Sequence, residues 1–120
     1  MLASHIVSAR HWWFHSWMGE GDASWDKYES WDDLEEMGTR QAHELVRALD
    51  ESWSFLAPCL ERWTAADLAT EFTRPILNAK GERPVRSRQW IVWHVAEHDV
   101  HHGGEISLTL GMHGVPGLDL

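Results

Sequence analysis

The sequence predicts a mainly α-helical bundle with a small hairpin or lid-like loop before its last helix. Three observations carry that expectation. Apolar residues recur at helical spacing in three separate stretches. Gly- or Pro-bearing segments stand between those stretches. The helical period lapses only over residues 70–86, where Phe72, Ile76, Leu77 and Val85 flank Asn78-Ala79-Lys80-Gly81-Glu82. At 120 residues, 43% of them hydrophobic, the chain suits one domain, 1–120, around a single core.

The first helix is expected from the start of the chain to about residue 18, with Leu2, His5, Ile6, Ala9, Trp12, Trp13 and Ser16 along one stripe. Gly19 and Gly21 end it. The acidic stretch 20–30, with Trp25 and Tyr28 interspersed, reads as a connecting loop. Ser30-Trp31-Asp32-Asp33 then reads as an N-cap with a carboxylate three residues on. From there Leu34, Met37, Ala42, Leu45, Leu49, Trp53, Leu56 and Leu60 mark a long amphipathic helix to about Arg62, with Pro58 as a kink or break. Thr64-Ala65-Ala66-Asp67 caps a short turn. Ser87 caps the last helix, from about Arg88 to Gly111, and a Gly- and Pro-containing tail follows. Three helices without a preceding partner leave open apolar faces, so the expectation is either an element preceding Met1 or a second copy that covers them.

Composition narrows the function. Nineteen acids against ten bases give a net charge of −9, which opposes nucleic-acid binding; the nearest thing to a basic cluster is Arg83, Arg86 and Arg88. The lone cysteine, Cys59, cannot form an internal disulfide and reads as a small buried apolar residue in a cytoplasmic protein. No run approaches the length of a membrane span, and no signal peptide is evident.

The last helix carries the most informative stretch, His94-Val95-Ala96-Glu97-His98-Asp99-Val100-His101-His102-Gly103-Gly104-Glu105. At helical pitch, His94, His98, His101, His102 and Glu105 project within roughly 100° of one another. Neutral imidazole is the commonest metal-binding side chain, and His98 with His102, one turn apart, can grip a single ion. A third ligand must come from another helix, and His5 is the best-placed candidate. His94 and His101 can orient a ligand or pack beside the site. Glu105 is the candidate carboxylate for orienting a ligand or accepting a proton, while Asp99 and Glu97 are expected to face solvent or cap. Trp12, past His5, and Trp90, one turn before His94, can line an apolar pocket above the ion. His11 and His15 form a second i, i+4 pair, turned from the His5 stripe by roughly 80–120° and read as surface or capping residues; His43 and His113 are also assigned to the surface. A rival exists in His94-Val95-Ala96-Glu97-His98, which fits the H-x-x-E-H pattern of zinc peptidases. Those enzymes are far larger, and the motif leaves His102 unexplained.

The run His98-Asp99-Val100-His101-His102-Gly103-Gly104-Glu105, continuing into Ile106-Ser107-Leu108-Thr109-Leu110-Gly111, resembles the signature helix of the DinB/YfiT-like metalloenzyme family. Leu2-Ala3-Ser4-His5-Ile6-Val7-Ser8-Ala9, with Trp12 and Trp13, resembles the helix that supplies that family's first ligand. The resemblance implies an up-down four-helix bundle holding a divalent ion through His5, His98 and His102. Zinc or nickel come first, with iron or copper as further options. It implies a thiol-linked transferase or a hydrolase acting on a small molecule, with a low-molecular-weight thiol as a possible partner; the alternative is a non-catalytic, dimeric metal- or ligand-binding module. Two departures stand out. Gly103 replaces the family's usual Arg, and the family's first helix has no counterpart before Met1, which makes a homodimer the expected assembly.

Overall fold

The computed structural model describes residues 2–33, 35 and 38–117. In chain order these form α1 (Leu2–Arg10), a π-helical segment (His11–Trp17), a 3₁₀ helix (Ala23–Asp32), α2 (Ala42–Arg62), α3 (Ala65–Leu68), β1 (Glu71–Thr73), β2 (Val85–Ser87) and α4 (Arg88–Met112). α1 is the hub, packing against the 3₁₀ helix, α2 and α4. The expected mainly helical architecture is present, and so is the hairpin. β1 and β2 pair antiparallel with Phe72 opposite Arg86. The Trp17 indole N–H donates to the Phe72 carbonyl at 3.1 Å and ties the hairpin to the first helix. α4 starts where its sequence signal says, with the Ser87 hydroxyl accepting from the Trp90 N–H at 3.2 Å.

Burial divides into two groups. Phe14, Trp17, Met18, Leu56, Cys59, Ile91 and Val95 form the larger one, between the π segment, α2 and α4. Val7, Tyr28 and Ala48 form the smaller, between α1, the 3₁₀ helix and α2. Cys59 is buried, as a small apolar residue would be, and burial pushes its thiol pKa up.

Several expectations are corrected. The stretch taken as a loop after Gly19 is the 3₁₀ helix, entered through Gly21 at φ +76° and capped by the Asp22 carboxylate on the Ser24 N–H at 2.8 Å. Ser30 does not cap a long helix; α2 begins at Ala42, where Glu44 accepts from the Gln41 N–H at 2.7 Å. Gly38, poor in a helix interior, lies in the turn between them. Leu34 and Met37 of the expected stripe lie outside the described residues, as do Leu118 to Leu120 of the tail. α2 runs through Pro58 without a break. Its buried stripe is Ala48, Ser52, Leu56 and Cys59, whereas Trp53 and Leu60 are exposed.

The first helix changes pitch at His11. The i→i+5 pattern of a π segment underwinds the chain, so positions beyond Arg10 leave the 100° progression. Trp13 and Trp17, four apart, stack with centroids 4.5 Å apart. His11, expected at the surface, is 4% exposed. Asp99, expected to face solvent or cap, instead binds Arg10, whose Nε and Nη2 lie 2.9 and 2.8 Å from its Oδ2. Arg10 Nη1 also donates to Ser52 Oγ at 2.8 Å and to the Leu49 carbonyl at 3.1 Å, so one guanidinium joins α1, α2 and α4.

Candidate metal centre

Where α1 crosses α4, three imidazoles converge. The ring of His5 lies 4.6 Å from that of His98 and 5.0 Å from that of His102, and the latter two are 4.4 Å apart. One ring nitrogen from each lies within 4.8 Å of the others. α4 presents His98 and His102 one turn apart on a single face. The Arg10–Asp99 pair pins the crossing beside them, since Asp99 follows His98 directly.

Two outer carboxylates orient the rings. Nδ1 of His5 lies 2.9 Å from Asp32 Oδ1, and Nδ1 of His102 lies 2.6 Å from Glu105 Oε2. A carboxylate accepts only, so each Nδ1 donates its proton outward and the lone pair is left on Nε2. The His102 hydrogen bond also lowers the pKa of Glu105 and keeps it ionised. Nε2 of His5 and Nε2 of His98 stand 2.9 Å apart. Two such nitrogens approach only with a proton or a cation between them. Burial, then the neighbouring His5, His102 and His94, bring the His98 pKa down to about 4. His98 is thus neutral at physiological pH, the state a metal ligand requires.

The donor set fits a divalent ion. Tetrahedral coordination with metal–nitrogen bonds of about 2.0–2.1 Å spaces ligand atoms by about 3.3 Å, close to the 2.9 Å seen between His5 and His98. His5 and His98 line a cavity of about 470 Å³ whose walls also include Trp12, Trp13, His94, Glu29 and Asp32. Trp12 is one of the residues lining it. Trp90 backs His94 instead, stacked on it at 4.8 Å and 17°, while Trp13 meets the same ring edge-on at 4.9 Å.

His94 is thus held among indoles 6.4 Å from the His98 ring, and Glu97 is exposed beside it. The zinc-peptidase arrangement of His94, Glu97 and His98 is not what this geometry gathers. His101 is exposed, edge-on to His102 at 4.9 Å, on the outer side of the triad. Glu105 stands on His102, in the orienting position rather than free in the cavity.

Asp32 and Glu29 escaped the sequence reading, yet a signal was present. Residues 25–32 read Trp-Asp-Lys-Tyr-Glu-Ser-Trp-Asp, with an aromatic and then an acid every third residue. In a 3₁₀ helix residues i and i+3 eclipse. Trp25, Tyr28 and Trp31 accordingly form one edge, with ring centroids 5.6 and 5.0 Å apart. Asp26, Glu29 and Asp32 form the next edge, toward the first helix. Asp26 meets His15 at 3.0 Å, Glu29 acts electrostatically on His11, and Asp32 meets His5.

No curated protein and no solved structure matches the chain. A family model described as the DinB superfamily matches residues 2–106, which takes in the first helix, the hairpin and all three converging histidines. The match covers most of the sequence, and the chain belongs to the DinB superfamily.

Proposed function

We propose that the protein is a divalent-metal-dependent enzyme, a thiol-linked transferase or a hydrolase, with His5, His98 and His102 as the metal ligands. The observation that carries this reading is the convergence of three imidazoles beside an aromatic-walled cavity, two of them aimed by carboxylates. His5, His98 and His102 would hold the cation, which would supply Lewis-acid chemistry that lowers the pKa of a bound water or thiol.

The chain's own residues do the rest. Asp32 and Glu105 accept from Nδ1 of His5 and His102, which leaves Nε2 of each ring free to bind a cation. Trp12 and Trp13 exclude water from part of the wall, and Glu29, in the same wall, offers a carboxylate for a substrate proton. A cavity of about 470 Å³ suits a small molecule such as a low-molecular-weight thiol. The acidic balance disfavours a nucleic-acid partner. A second copy of the chain, seated on the exposed Trp93, Val100 and Leu108 of α4, completes the assembly this reading expects.

Elemental analysis of protein purified without an affinity tag tests the reading. The expected result is bound zinc or nickel, one equivalent of which is lost in H98A and in H102A while helical content persists. Wild-type protein that folds fully and takes up no metal at this triad sinks it. Metal with no exchangeable water or thiol would indicate a binding module instead.

A further inference from the structure

A second group of ligating side chains lies on the same helix, beyond the pitch change at His11. Ring nitrogens of His11 and His15 and a carboxylate oxygen of Asp26 lie within 4.8 Å of one another. The two imidazole centroids are 5.1 Å apart. Three facts about these residues ask for a common explanation.

First, His11 is 4% exposed, and its Nε2 is buried with no hydrogen-bond partner among the described residues. A buried polar nitrogen left unpaired is costly, so such atoms call for an ion or a water. Second, both nitrogens of His15 face acceptors: Nδ1 meets the Glu20 carbonyl at 2.6 Å and Nε2 meets Asp26 Oδ1 at 3.0 Å. A neutral ring carries one N–H only, and the carbonyl claims it, so the Nε2 lone pair points at a carboxylate. Third, the surrounding segment is acidic: Glu20, Asp22, Asp26, Glu29, Asp32 and Asp33 fall within fourteen residues that contain one lysine.

A proton on His15 would answer the second fact but leave the first, and would set a positive ring against His11. A cation answers all three. It gives the His11 nitrogen a partner, takes the Nε2 lone pair of His15, and is neutralised by Asp26. The wall of the cavity at the first centre includes His11, which gives an ion a route in.

We propose that His11, His15 and Asp26 form a second divalent-cation site, separate from the His5–His98–His102 centre and bordering the same cavity. Two imidazoles with one carboxylate suit the borderline ions zinc, cobalt and nickel. The ligand set is local in sequence, so the site forms whether or not the first one does.

The experiment is a cobalt(II) titration of chelator-stripped protein, followed by d–d absorption and calorimetry. Wild type is expected to take up two equivalents, and D26N and H15Q one. H98A/H102A is expected to keep one, whose affinity falls at least tenfold when D26N is added. Asp26 is largely exposed, so D26N leaves the packing intact where a change at His11 would not. One equivalent in wild type, unchanged in D26N, overturns the second site. One equivalent in both wild type and H98A/H102A, abolished by D26N, upholds it and shows that the first centre is the one that fails.

Discussion

The two histidine groups on the first helix differ in what assembles them. His11, His15 and Asp26 lie within sixteen residues and need only the turn through Gly19 and Gly21 to meet. His5 must find His98 across 93 positions, so its site exists only while α1 and α4 cross at the right place. The local group follows from backbone geometry; the distant one depends on tertiary packing. Arg10 makes the difference concrete. It stands between the two groups in sequence, and its bonds to Asp99, Ser52 and Leu49 hold the crossing that serves only the distant site.

Arg10→Met breaks this arrangement most severely. It leaves the Asp99 carboxylate partly buried without its cation, for a loss of about 3–5 kcal/mol. Urea unfolding measures that loss. In protein still folded, cobalt affinity at the His98 site should fall while that at the His15 site holds. An equal drop at both would show that the two groups are not independently built.

Asp32→Asn and Glu105→Gln sharpen the contrast with less disturbance. Each removes a carboxylate from the outer nitrogen of a ligand ring, and losses of about 10–100-fold in metal affinity are typical for such partners. The fall should appear at the His98 site and spare the other. Competition with a chelating dye reads it. Unchanged affinity in both variants would mean that the rings are held by packing alone.

The smallest effect is on pH dependence of metal-free protein. Burial lowers the pKa of both His98 and His11 below 6.5, that of His98 to about 4. As pH falls below about 6.5 the unfolded chain takes up protons that the fold refuses. Stability attributable to these rings is therefore intact above that value and declines toward pH 4. His98→Ala should flatten the decline, and what remains is shared between His11 and the carboxylates whose pKa the fold lowers, Glu51 and Glu105 among them. Denaturation midpoints at stepped pH provide the check; a midpoint that does not move across this window contradicts the assignment.

How much of this was legible in the sequence follows the same division. The last helix, its Ser87 cap, the hairpin and the His98–His102 spacing are local patterns, and the structure has them. His5 was found because helical spacing put it on the stripe with Trp12. Asp99 was misread because nothing near it reveals a partner on α1. His11 was misplaced because a change of helical pitch has no simple residue signature, and the angle that turned it toward the surface assumed an unbroken α-helix. The 3₁₀ helix was missed for a different reason. Its three-residue repeat of aromatic and acid was in plain view, but acidic composition suggested a loop.

That repeat constrains how the chain tolerates changes in length. Along the first helix the partners of Asp26, Glu29 and Asp32 run backward as His15, His11 and His5. Six residues of 3₁₀ helix span about 12 Å, and the first helix covers the stretch from His5 to His15 partly in its underwound π segment, so the two ladders run side by side. One residue inserted between Glu29 and Ser30 would swing Asp32 by about 120° and strand His5 without its anchor, while Asp26 stayed on His15. Only a whole turn of three, added or removed, restores the phase, so this short acidic segment works as a gear whose teeth set the spacing of two separate sites.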